Sequence, residues 1–156
     1  MKIQITPIRK IDDAMMVWHE GVNDVDLVMD PRPPYGLKFR PGTIKDIYAF
    51  DILSQTKPAQ LQEMINGWYN LLAPGGTLYV VENDFEYIAR ALVGGELSIE
   101  EFNQDFIQKS YLTRELIVNI LQSAGFPEGS QRLWSHDGIK FKVAMHQLII
   151  SGTKQK

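Results

Sequence analysis

Residues Trp68 to Val81 read WYNLLAPGGTLYVV, and this stretch decides the fold. Just before it and into it, Leu61, Met64, Ile65, Trp68, Leu71 and Leu72 recur at the helical period and form one apolar stripe. Thr56 is placed to cap that helix, with Pro58 in the first turn, where a missing N–H leaves no bond unmade. Pro74-Gly75-Gly76 stops it. Thr77–Val81 is then a short apolar run, suited to a strand buried on both faces. A helix reversed tightly into a buried strand is a building unit of α/β layer proteins.

Working outward, the same alternation continues. Candidate strands are Lys2–Ile5, Ala14–Trp18, Val25–Met29, Ile44–Ile52, Thr77–Val81, Gln131–Trp134 and Lys140–Ile150. The last begins with alternating apolar residues at Ile139, Phe141, Val143 and Met145, the pattern of a half-exposed or antiparallel strand. Asn83 or Asp84 can cap a second helix through Leu92. Ser98 with Glu101 makes a capping box for a third. Thr113 can cap a fourth, which buries Leu116, Ile117, Ile120 and Leu121 and ends at Gly125. The 156 residues suit a single domain over 1–156. Pro31–Gly36 is a stiff loop too short to separate two.

Composition excludes several chemistries. There is no cysteine, so disulfides, thiolate-ligated zinc and cysteine nucleophiles are ruled out. The net charge of −3 gives no clear nucleic-acid signal. No signal peptide or membrane-spanning run is visible, and the expectation is a soluble, cytoplasmic protein. His19, His136 and His146 are scattered, without metal-ligand spacing. Asp24-Val25-Asp26 matches the metal-binding Asp-x-Asp of many glycosyltransferases over three residues only, and reads better as a solvated strand entrance. A nicotinamide-binding Rossmann domain is excluded for want of a G-x-G-x-x-G.

Taken together, these segments resemble the class I S-adenosylmethionine (SAM) dependent methyltransferases, in the small type 11-like form. Trp68–Val81 resembles that family's R-x-L-K-P-G-G-x-L signature. Val25–Asp30 resembles its third strand and terminal aspartate. Leu37–Thr43 is similar to the loop that follows, and Ile44–Leu53 to the fourth strand. Tyr111–Leu116 with Leu121–Phe126 resembles the T-x-x-E-L…L-x-x-A-G-F helix before the final hairpin. The order agrees from Val25 to Phe126. One departure carries weight. Where the family has a glycine-rich cofactor loop, this chain has Thr6-Pro7-Ile8-Arg9-Lys10. Proline fixes the backbone there and isoleucine fills space that glycine leaves open.

The resemblance implies a Rossmann-like fold: a seven-stranded, mostly parallel sheet with an antiparallel C-terminal hairpin and helices on both faces. It implies methyl transfer from SAM to an unidentified acceptor. Asp30 and Glu20 would hold the adenosine, and the backbone at Tyr48, Ala49 and Phe50 would line the cleft. Asp51 ends the fourth strand, on the side where open α/β sheets bind ligands. It is the candidate to orient or deprotonate the acceptor, against the plainer alternative of a capping or surface aspartate. Arg9, Lys10, Arg32, Lys38 and Arg40 fall in loops on the same rim and could meet an anion, though loops are commonly polar. Phe85 and Tyr87 follow the fifth strand, where the family builds its substrate cover; Phe85 also fits the helix's apolar face. The altered loop leaves a second reading open: a catalytically inactive methyltransferase-like binding or partner-subunit domain with weak or no SAM binding. A domain without the family's usual N-terminal helices also leaves apolar surface for a homo-oligomer or a partner protein.

Overall fold

In the computed structural model, which describes residues 2–5, 27–29, 39–139 and 143–156, one mixed sheet organises the chain. Its strands are β1 (Lys2–Ile5), β2 (Leu27–Met29), β3 (Ile44–Phe50), β4 (Leu72–Asn83), β5 (Arg132–Trp134) and β6 (Gln147–Thr153). They lie in the order β2-β1-β3-β4-β6-β5. The pairs β1–β2, β1–β3 and β3–β4 are parallel. β6 then runs antiparallel to both β4 and β5, as expected of the C-terminal hairpin.

Six strands are described, where seven were expected. The candidate strand Ala14–Trp18 lies outside the described residues. The last strand is also displaced: Lys140–Ile150 was expected, and β6 is Gln147–Thr153. The alternation that suggested an earlier start ends in a turn in which Met145 is 72% exposed. The actual strand holds the continuous run Leu148-Ile149-Ile150, all buried. It is flanked by a strand on either side, so its hydrophobic signal is a run and not an alternation.

The helices are α1 (Pro58–Leu71), α2 (Phe85–Val93), α3 (Ile99–Asp105) and α4 (Arg114–Ala124). The expected caps are in place at three of them. Asp84 accepts from the Glu86 N–H, Ser98 and Glu101 form a reciprocal box, and Thr113 accepts from the Leu116 N–H. At α1 the capping position is Lys57, not Thr56, and no side chain caps it. The Thr56 hydroxyl donates instead to the Ile52 carbonyl. Gly125 closes α4 at φ +112°, the left-handed geometry that glycine tolerates.

The Pro74-Gly75-Gly76 turn is drawn into β4, which starts directly at the end of α1. A Cβ on Gly76 would lie 2.8 Å from the carbonyl oxygens of both Ala73 and Lys45. The reversal thus requires a residue without a side chain where β4 slides past β3. This is the register in which Ile44 faces Leu72 while Asp46 faces Thr77.

The main core lies between the sheet and the α1–α4 pair. Trp68 is fully buried there with Met64, Ile65, Leu78, Val80, Leu121 and Phe126. On the opposite face Phe50, Val81 and Ile149 form a second cluster with Tyr48, Trp134, Ile139 and Val143. The rings of Tyr48 and Tyr79 stack there across the β3–β4 pair, 4.7 Å apart. A helical layer was expected on that face; among the described residues its cover comes from Ile139 and Val143.

Candidate functional site

The parallel strands β3 and β4 end side by side, and their carboxyl ends carry two acids. β3 stops at Phe50 because Asp51 takes φ +53°, the one left-handed residue other than glycine among the described residues. Such a conformation persists only where surrounding contacts hold it. Here the Asp51 N–H still reaches the Val81 carbonyl of β4 at 2.9 Å. Its Oδ1 accepts from Gln147 Nε2 at 3.0 Å. Gln147 opens β6, and its Oε1 accepts the Ala144 N–H at 3.0 Å, which fixes the amide's orientation toward Asp51. His136 Nε2 lies 3.1 Å from the Ala144 carbonyl and 2.9 Å from that of Gln147, bracing the same turn.

Glu82, the residue after Val81, is fully buried. Its Oε1 accepts the Leu53 N–H at 2.6 Å and its Oε2 the Ser54 N–H at 3.2 Å. Burial raises its pKa most and the Asp51 charge adds to this. The Ser54 hydroxyl and the two N–H groups pull the other way, leaving the carboxyl at about 8. The Ser54 Oγ completes no hydrogen bond of good geometry, so the two N–H groups are the contacts that hold Glu82. His146 precedes Gln147. Burial pushes its pKa down, and the Asp51 charge partly restores it. The ring of Phe106 meets His146 edge-on at 5.1 Å. Through Tyr111, Phe102 and Phe85 an aromatic cluster extends from there across α2 and α3.

Of the residues singled out in the sequence, Asp51 lies at this edge. Tyr48 is half-buried on the second face, where burial first, then Asp46 and Tyr79, push its hydroxyl up to about 12. Ala49 and Phe50 are buried, in the main and second cores respectively, and pair in the ladder with Val80 and Val81. Their side chains therefore face the cores, and only their backbone follows the edge. Glu20, Asp30, the Thr6–Lys10 loop, His19, Asp24-Val25-Asp26, Arg9, Lys10, Arg32 and Lys38 lie outside the described residues; Arg40 is described and exposed. Tyr87 is exposed, and Phe85 packs against Tyr111. Among the described residues no group of His, Asp and Glu could hold a metal ion. Glu82 and Gln147 were not singled out from sequence. The available signal was that Glu82 directly continues a strand buried on both faces, so its side chain had to be buried too.

A mostly parallel sheet that ends in an antiparallel hairpin, with its acids at the carboxyl edge, defines an α/β protein of the class I methyltransferase fold. Solved structures bear this out. The chain matches the CurJ carbon methyltransferase at a TM-score of 0.54 and 20% identity, covering 83% of this chain and 35% of that one. It matches human N-acetylserotonin methyltransferase in complex with SAM at 0.53 and 15% identity, covering 83% and 34%. It also matches a chain of a Haloferax volcanii complex between a methyltransferase and its activator, at 0.51 and 12% identity, covering 86% and 64%. The chain thus spans between about a third and two-thirds of the length of these structures. No protein-family profile and no curated protein matches it.

Proposed function

We propose that this chain is a SAM-dependent methyltransferase domain that transfers a methyl group to an acceptor not yet identified. The observation that carries this reading is the acid-bearing turn at Asp51, set at the carboxyl edge of a methyltransferase-type sheet. A carboxyl at that edge fits a cofactor whose reacting end is a cationic sulfonium beside an ammonium group. When bound, SAM supplies an electrophilic methyl and its own leaving group, so the protein mainly aligns the reactants. Asp51, oriented by Gln147, would align the acceptor or take its proton. Glu20 and Asp30 would hold the adenosine, and the Tyr48–Phe50 backbone would form the adjoining wall. The domain would work in the cytoplasm.

A second reading, a catalytically inactive binding or partner-subunit domain, is favoured by one feature: Pro7 and Ile8 stand where open backbone is needed. A partner or a second copy of the chain fits either reading, since one structural neighbour is held in a complex with an activator. No described helix is long and apolar enough to cross a membrane.

Calorimetric titration with SAM and S-adenosylhomocysteine separates the two. Two lost hydrogen bonds to the charged amino-acid end, at about 1.5–3 kcal/mol each, weaken a micromolar site by roughly two to four powers of ten. The expected dissociation constant for the isolated chain is therefore high-micromolar to millimolar. One near or below about 10 μM, lost in Asp30→Ala, would mean that the altered loop still admits the cofactor fully. No heat at millimolar ligand would favour the inactive domain.

A further inference from the structure

A buried acid inside a strand needs a reason, because removing a carboxyl from water costs free energy unless its oxygens are bonded. Both Glu82 oxygens are bonded, and to neighbours in the chain: the N–H groups of Leu53 and Ser54, 29 and 28 residues away in sequence. Those two residues are themselves buried, so without Glu82 their N–H groups would be orphan donors in the core. The turn they belong to begins at Asp51, whose own N–H is held by the carbonyl of Val81. Two consecutive residues of β4 therefore clamp the turn from both ends, Val81 through its backbone and Glu82 through its side chain. Between the clamps sits the left-handed Asp51.

We propose that Glu82 is a positioning residue: by gripping the backbone of Leu53 and Ser54 it fixes the turn that presents Asp51 at the carboxyl edge. The proposal rests on the methyl-transfer reading only for what Asp51 then does. Glutamate suits the task because it offers an acceptor oxygen to each N–H. Glutamine offers one oxygen and one NH2, and the NH2 opposes the second donor. The two acids are also coupled. Among the described residues Asp51, from the end of β3, is the charged group that bears on Glu82; the Ser54 hydroxyl and the two N–H groups face it from the turn, and the Asp51 charge also bears on His146, from the segment before β6.

Amide hydrogen exchange and carboxyl-carbon NMR on the full chain test this, with Glu82→Gln, Glu82→Leu and, as a distant buried control, Ser151→Ala. In Glu82→Gln the Ser54 amide should exchange about tenfold faster or more while Leu53 keeps most of its protection. Glu82→Leu should release both, and Ser151→Ala neither. In the unmodified protein the Asp51 carboxyl resonance should move when Glu82 loses its proton, at about pH 8, and this step should vanish in Glu82→Gln. Unchanged exchange at both amides in the two Glu82 variants would overturn the proposal. So would Leu53 and Ser54 amides that exchange without protection in the unmodified protein, a result that needs no variant to fold. If S-adenosylhomocysteine fails to bind the unmodified protein, the methyl-transfer reading falls, while amide exchange still decides the role of Glu82.

Discussion

The helix-covered face of the sheet and its carboxyl edge are built on opposite principles. Under α1 and α4 the buried residues are apolar, from Trp68 and Met64 to Leu121 and Phe126, and the Trp68 Nε1 is buried among them with no acceptor among the described residues. At the carboxyl edge, only a few residues away along β3 and β4, a full acid, a serine and two backbone N–H groups are buried together. The first region stabilises by removing apolar area from water and tolerates changes that keep volume. The second holds a strained residue and a coupled pair of acids, an arrangement that makes sense only if the turn has to be fixed in place. Apolar packing and buried polar bonding are thus segregated within single strands.

The largest expected effect breaks the helix-covered side. Trp68→Ala removes a fully buried ring and should cost about 3–5 kcal/mol in denaturant unfolding. A loss under about 1 kcal/mol would mean that the stripe contributes little to the core.

At the carboxyl edge the corresponding signature is a pH slope. Glu82 titrates at about 8 in the fold against an ordinary 4.5. Between those values the folded state binds the extra proton, so stability falls as pH rises through the window; below it both states are protonated and the slope disappears. Measured as the difference in urea midpoint from Glu82→Gln, the unmodified protein should lose ground steadily from about pH 5 to 8. A constant difference would contradict the raised acidity. His146 acts with the other sign. Its ring is pushed down from 6.5, so its contribution is present above that value and is lost as pH falls through the depressed one.

Two smaller changes sharpen the contrast. Gly76→Ala drives a methyl against two carbonyl oxygens at 2.8 Å and should cost about 1–3 kcal/mol by thermal unfolding. A neutral result would mean that the β3–β4 register can shift. Thr113→Ala removes the side-chain cap of α4 and should cost about 1 kcal/mol by thermal unfolding.

The helix-covered side was legible in the sequence because its signal is periodic. The stripe Leu61 to Leu72, the Pro-Gly-Gly reversal and the capping box at Ser98 each follow from local rules. β6 was misplaced because alternation at Ile139 to Met145 reads as a strand, whereas the strand that fills the gap between β4 and β5 is an uninterrupted run. The carboxyl edge was legible in part. Asp51 could be placed at a strand end, whereas Glu82, continuing a strand buried on both faces, signals burial but not its partners. Its partners are backbone donors 28 and 29 residues earlier, and no periodicity encodes such a meeting.

The central claim, that the carboxyl edge is the cofactor edge, is tested most directly by amide chemical-shift mapping during titration with S-adenosylhomocysteine. Saturable shifts should concentrate at residues 48–54 and 82–84 and spare the opposite end of the same strands, at Thr43, Gly75 and Gly76. Shifts centred on that opposite end, or none up to millimolar ligand, would contradict it.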